Sequence, residues 1–144
     1  MLESIFGGLN NWGLLALRIM MGVVFIVHGW PKVNPRSRIG GIPGWTQAMQ
    51  RMGIPLPAFF GAVVPLSEFA GGTLMILGLG VRIVAILQMC IMLVAIARAK
   101  LPRGVKFTEN DKTGWELDFI LGAAALALLF TGAGSIALDP LLGI

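Results

Sequence analysis

The sequence predicts an all-α membrane protein, a bundle of four transmembrane helices with a short interfacial helix in the first loop. Three observations predict it. Hydrophobic residues make up 56% of the chain and charged residues 12%, about half the charged share of a typical soluble domain, and the mean hydropathy is +0.84. The apolar residues gather into four runs, at about 13–30, 58–77, 79–97 and 117–130, each close to the ~20 residues that cross a ~30 Å hydrocarbon core. The lysines and arginines gather in the gaps between the runs. A chain of 144 residues has room for one such domain.

The first run, GLLALRIMMGVVFIVHGW, is not a cleaved leader. The stretch ahead of it carries Glu3 and no Lys or Arg, Arg18 interrupts it, and no A-x-A site follows. The first loop, Pro31 to Pro57, is rich in proline and glycine. Its middle, GWTQAMQRMG, spaces Trp45, Met49 and Met52 along one apolar side, which predicts two turns of helix lying in the headgroup layer. The second run contains Pro65. Only Gly78-Leu79-Gly80 separates it from the third, so these two helices form an antiparallel hairpin. The third loop, from about Arg98 to Thr113, is polar and basic. The fourth run is the shortest and opens GWELDF, with Glu116 and Asp118 where the helix dipole favours acids.

Orientation follows from the basic residues. Lys32, Arg36, Arg38 and Arg51 lie in the first loop, and Arg98, Lys100, Arg103, Lys106 and Lys112 in the third; the opposite side offers Arg82. The positive-inside rule places both basic loops in the cytoplasm and both termini outside a plasma (inner) membrane. The net charge of +4 is therefore topological, and nucleic acid is not a partner. One cysteine, Cys90, and one histidine, His28, exclude an internal disulfide, a CxxC motif and a bis-histidine haem within one subunit. His28, Glu116 and Asp118 make a weak metal set, and no metal site is assigned.

Ionisable groups inside a membrane helix cost roughly 2.5–3.5 kcal/mol each on insertion scales, so they pair or face a cavity. Arg18 lies ~9 Å below Trp12, and Glu68 lies ~15 Å from the Gly78 turn. An arginine side chain spans that difference, which predicts an Arg18–Glu68 pair, either as a structural pin or as the floor of a polar site. At about 100° per residue, Arg18, Phe25, His28 and Lys32 share one face of the first helix, with Gly22 and Gly29 beside them. Gly61, Pro65, Glu68, Gly72 and Met75 share one face of the second. Glu116 and Asp118 come level with His28 and Lys32 in a second polar cluster, and Gln88 lies halfway down the third helix. His28, Glu68 and Asp118 are the candidates for moving protons. Arg18, His28, Lys32, Glu68, Gln88 and Glu116 are the candidates for holding a ligand.

The arginine early in the first helix, HGWPK at His28–Lys32, GIPLP at Gly53–Pro57, SEFAGG around Glu68, GWELD at Gly114–Asp118 and GAGSIALD at Gly132–Asp139 together resemble the DoxX family of small membrane proteins, over nearly the whole chain. The resemblance implies a four-helix membrane bundle. It also implies a link to quinone-coupled oxidoreductase systems, oxidative stress and thiol homeostasis. The chain lacks the cysteine pairs of the disulfide-handling relatives, so dithiol chemistry is not expected of it.

The reading that follows is a membrane subunit or accessory of a redox system that binds a quinone or similar lipid-soluble molecule between helices one, two and four. If it is catalytic, it is so as a component of a membrane oxidoreductase. Its partners are the bilayer and either a partner oxidoreductase or further copies of itself. The alternatives are a non-enzymatic scaffold for a redox or stress-response complex, and an oligomeric small-solute transporter.

Overall fold

The computed structural model describes residues 7–111 and 113–144; Glu3 and Lys112, used above, lie outside them. The described residues are helical and contain no strand. The helices are α1 (Asn10–Val33), α2 (Gly41–Arg51), α3 (Pro57–Leu77), α4 (Val81–Val94), α5 (Glu116–Thr131) and the short α6 (Asp139–Leu142). Beyond Val94, α4 runs on through a wide π-turn, Ala95–Lys100, and a 3-10 turn, Leu101–Arg103. Three stretches are long and apolar enough to cross a membrane: Asn10–Val33, Pro57–Leu77 and Val81–Arg103. Helix α5 has 16 residues, about 24 Å of rise.

Two of these helices depart from their expected ends. α1 runs past Trp30 and Pro31 to Val33. A proline in the last turn removes one intrahelical bond, and Asn34 N–H still donates to Trp30 O at 2.9 Å. The extra turn keeps Lys32 on the helix, directed along the bundle. α4 begins at Val81, two residues later than expected, because Gly78 and Gly80 both take left-handed φ angles of 71° and 62°, which turn the chain back within three residues.

α1 packs antiparallel along α3, and α4 packs against α5. The α1–α3 contact is closer than side chains permit. A β-carbon on Gly72 would stand 2.7 Å from the Gly22 carbonyl oxygen, and one on Gly29 would stand 2.7 Å from the Phe69 nitrogen. Small residues let membrane helices approach to this distance, where dispersion and packing hold them. Around the contact Met21, Phe25, Met75, Val84, Ala85 and Leu128 form the buried core. Met20, Val27, Ile83 and Phe130 point outward and are exposed; in a protein of this composition that outer surface meets lipid.

Gly72→Val should push α1 from α3 and cost about 1–3 kcal/mol, the range for overpacking a filled interface. Gly13→Ala, with nothing within 4 Å of its β-carbon, should leave stability unchanged. Thermal unfolding of both variants in detergent checks the contrast.

Candidate functional site

The glycine contacts set the register of α1 on α3, and the register sorts the charges. Gly29 lies against Glu68 and Phe69, and Gly22 against Gly72. Lys32, one turn beyond Gly29, therefore reaches Glu68: its Nζ lies 2.6 Å from Oε1 and 2.5 Å from Oε2. The Glu68 side chain is 4% exposed and that of Lys32 13%. The same ammonium sits 4.4 Å from the centroid of the Trp45 ring on α2, in cation–π range.

This corrects the expected Arg18–Glu68 pair. Arg18 is fully buried at the other end of α3, and its guanidinium donates to the carbonyls of Met75 and Ile136. Glu68 and Gly78 are separated by about 15 Å of helix, and Arg18 stands level with Gly78. Trp12 is not level with Gly78, because α1 begins at Asn10 and extends well beyond the α3 turn on that side. The space there is filled by the C-terminal segment, where Ser135 N–H donates to Asn11 Oδ1 at 2.9 Å. Asp139 supplies the charge that faces Arg18. Its carboxylate also accepts from Gly80 N–H at 2.5 Å and Val81 N–H at 3.1 Å, capping α4. The end holding Arg18 is thus a charged clasp between helix termini, and it lies on neither cavity described below.

Two cavities meet at the opposite end. The larger, about 410 Å³, is walled by α2, α3 and α4 with α1 and α5 at one side. The smaller, about 150 Å³, lies between α1 and α5. His28, Glu68, Met92 and Asp118 line both. Asp118 is paired with Lys100, Nζ to Oδ2 2.5 Å, and the same ammonium donates to Gly114 O at 2.7 Å. His28 is exposed and close enough to act on the Glu68 charge. Among the described residues its ring makes no hydrogen bond, and it lines both cavities where they join. A neutral imidazole offers one donor and one acceptor there.

Of the residues singled out from the sequence, the structure brings together His28, Lys32, Glu68 and Asp118. It does not bring Arg18, Gln88 or Glu116 to either cavity. Gln88 is fully buried beside Gly71, and neither amide atom has a partner among the described residues. No group of His, Cys, Asp and Glu able to hold a metal is found among the described residues. Sequence reasoning missed Lys100, because its partner Asp118 lies across a loop whose path no local pattern encodes. It also sent the apolar side of α2 to the headgroup layer, whereas Trp45, Met49 and Met52 line the larger cavity and Thr46 packs on Gly61 of α3.

The DoxX family model matches residues 13–101. The chain is 34% identical to the Bacillus subtilis protein named "Putative oxidoreductase CatD", over 89% of this chain and 85% of that one. It is 30% identical to the Escherichia coli inner membrane protein YqjF, over 93% and 95% of the two chains. It is 29% identical to a second inner membrane protein of that organism, YphA, over 93% of each. No solved structure matches the chain.

Removing one member of the Lys32–Glu68 pair leaves a buried charge alone. Lys32→Met should therefore cost about 3–5 kcal/mol, and Lys32→Met with Glu68→Leu should recover most of it. A double-mutant cycle by denaturant titration in detergent reads the coupling directly.

Proposed function

The chain belongs to the DoxX family of membrane proteins, and from that premise we propose that it is the membrane component of a redox system and holds a quinone or a similar lipid-soluble molecule in the larger cavity. The convergence of both cavities on His28, Glu68 and Asp118 carries this reading. A volume of about 410 Å³ is in the range of small-molecule sites, and its walls are mainly apolar side chains with a few polar groups among them. A quinone headgroup needs hydrogen-bond donors and a route for protons. His28 is the free donor, and the two ion pairs hold Glu68 and Asp118 on the walls of the same cavities. The relative named an oxidoreductase supports the redox assignment.

In this reading α5 is a fourth crossing, shortened by thinning of the bilayer around it, and α2 lies at the cytoplasmic interface as the roof of the cavity. The basic loops face the cytoplasm and both termini face outward in an inner membrane, the location in the names of the two Escherichia coli relatives. A scaffold role is the second reading. It is favoured by one observation, that Lys32 occupies both oxygens of Glu68, as a purely structural pair does.

Trp45, on the cavity wall, reports on occupancy. In lipid nanodiscs, with Trp12, Trp30 and Trp115 changed to Phe, a short-chain quinone should quench Trp45 saturably. His28→Ala should weaken binding about tenfold, the worth of one well-placed hydrogen bond. Quenching that does not saturate, together with no quinone in lipid extracts of gently purified protein, overturns the quinone reading. It leaves the scaffold, for which Glu68→Gln lowers stability without altering a partner's activity.

A further inference from the structure

We propose that the molecule held in the larger cavity is a lipophilic acid bound as its anion, and that Arg98 is the residue that selects it. The inference rests on the cavity described above as a ligand site, and it specifies the charge of the ligand.

Four charged side chains line that cavity: Lys32, Glu68, Arg98 and Asp118. Lys32 and Glu68 neutralise each other at 2.5 Å. Asp118 is neutralised by Lys100, also at 2.5 Å. Arg98 remains. Among the described residues it makes no ion pair and no side-chain hydrogen bond, and it is exposed. The wall therefore carries one uncompensated positive charge, on the side chain best suited to a planar, two-oxygen anion.

The backbone explains why Arg98 is there. Residues Ala95–Lys100 form a π-turn, which holds more residues per turn than an α-helix and recurs at functional sites. Ala95, Arg98 and Ala99 continue, at helical spacings of three and four, the face that Leu87, Ile91 and Val94 present to the cavity, while Lys100 reaches Asp118 and the Gly114 carbonyl. One irregular turn thus delivers two cations to two places: one locks the α5 junction, and the other stays free at the cavity. The rest of the lining is apolar, so the complementary ligand has an apolar body and one acidic group. The cavity volume suits a ring-sized molecule that diffuses through the bilayer rather than the two acyl chains of a phospholipid.

The test uses the Trp45-only protein in phosphatidylcholine nanodiscs and three probes: hydroxynaphthoquinone, which is ionised at neutral pH, its neutral methyl ether, and naphthoate, an acid with no quinone. The hydroxy compound should bind about tenfold more tightly than its ether, the low end for a charge-assisted hydrogen bond, and naphthoate should bind saturably. Arg98→Gln should bring the ratio of the two quinones to about one, while Arg98→Lys retains a preference for the acid and shows that the fold survives at this position. Arg103→Gln, which does not line the cavity, should change nothing. If naphthoate binds through Arg98 and neither quinone does, the acid inference stands and the quinone reading falls. If both quinones bind equally and Arg98→Gln is silent, the quinone reading stands and this inference is overturned. It is also overturned if naphthoate fails to bind, or if Arg98→Gln binds naphthoate as tightly as the unaltered protein while phosphatidylglycerol changes Trp45 emission only when Arg98 is present, which assigns the arginine to a phospholipid headgroup.

Discussion

The contact between α1 and α3 is made by backbone on backbone. Gly22 lies on Gly72, and Gly29 on Glu68 and Phe69, at distances that exclude any side chain on these glycines. Ordinary side-chain packing allows a helix to slide by a few tenths of an ångström as neighbours repack. A glycine seam does not, because the touching atoms belong to the main chain and have no rotamers to change. A single register follows, and both charged regions depend on it. One shift along α1 would part Lys32 from Glu68 and, at the far end, Arg18 from the carbonyls it serves.

The register divides labour between the two ends of the bundle. At one end, Arg18 and Asp139 are engaged with the main chain: the guanidinium donates to the Met75 and Ile136 carbonyls, and the carboxylate accepts from the Gly80 and Val81 amides that open α4. Each charge is used in hydrogen bonds to backbone, and no space remains around Arg18. At the other end, charges are paired side chain to side chain, Lys32 with Glu68 and Lys100 with Asp118, and cavities open between them. Backbone-bound charges close a protein, whereas side-chain pairs bordering empty volume leave groups free to exchange partners.

Much of this was legible in the sequence, and the reasons are physical. Membrane class and helix positions follow from hydropathy, which acts locally and sums along the chain. The meeting of His28, Lys32 and Asp118 was legible because charges on helix faces of known period must turn inward in lipid; that Glu68 joins them was not, since its depth pointed to Arg18. The partner of Arg18 was not, because depth was counted from Trp12, and nothing local says how far α1 outruns the α3 turn. Asp139 read as part of a tail motif; its work as a cap depends on a segment returning from the end of the chain. The π-turn at Ala95–Lys100 was also hidden, since AIARAK has the composition of an ordinary helix end. The apolar side of α2 was visible, but whether it turned toward lipid or toward protein depended on the small residue Gly61 across the way.

The clasp at Arg18 has a consequence for how the chain is made. Arg18 and Ile136 are 118 positions apart, so the first helix leaves the ribosome long before its arginine has anything to bind. Through synthesis of α3, α4 and α5 that guanidinium is served by water, by phosphates or by the insertion machinery. It is covered when the final segment folds back across the α3–α4 turn. This end of the bundle can therefore close only after the segment around Ile136 has been made. A chain that stops short of Ile136 keeps its apolar helices and leaves the arginine in the first of them without that carbonyl.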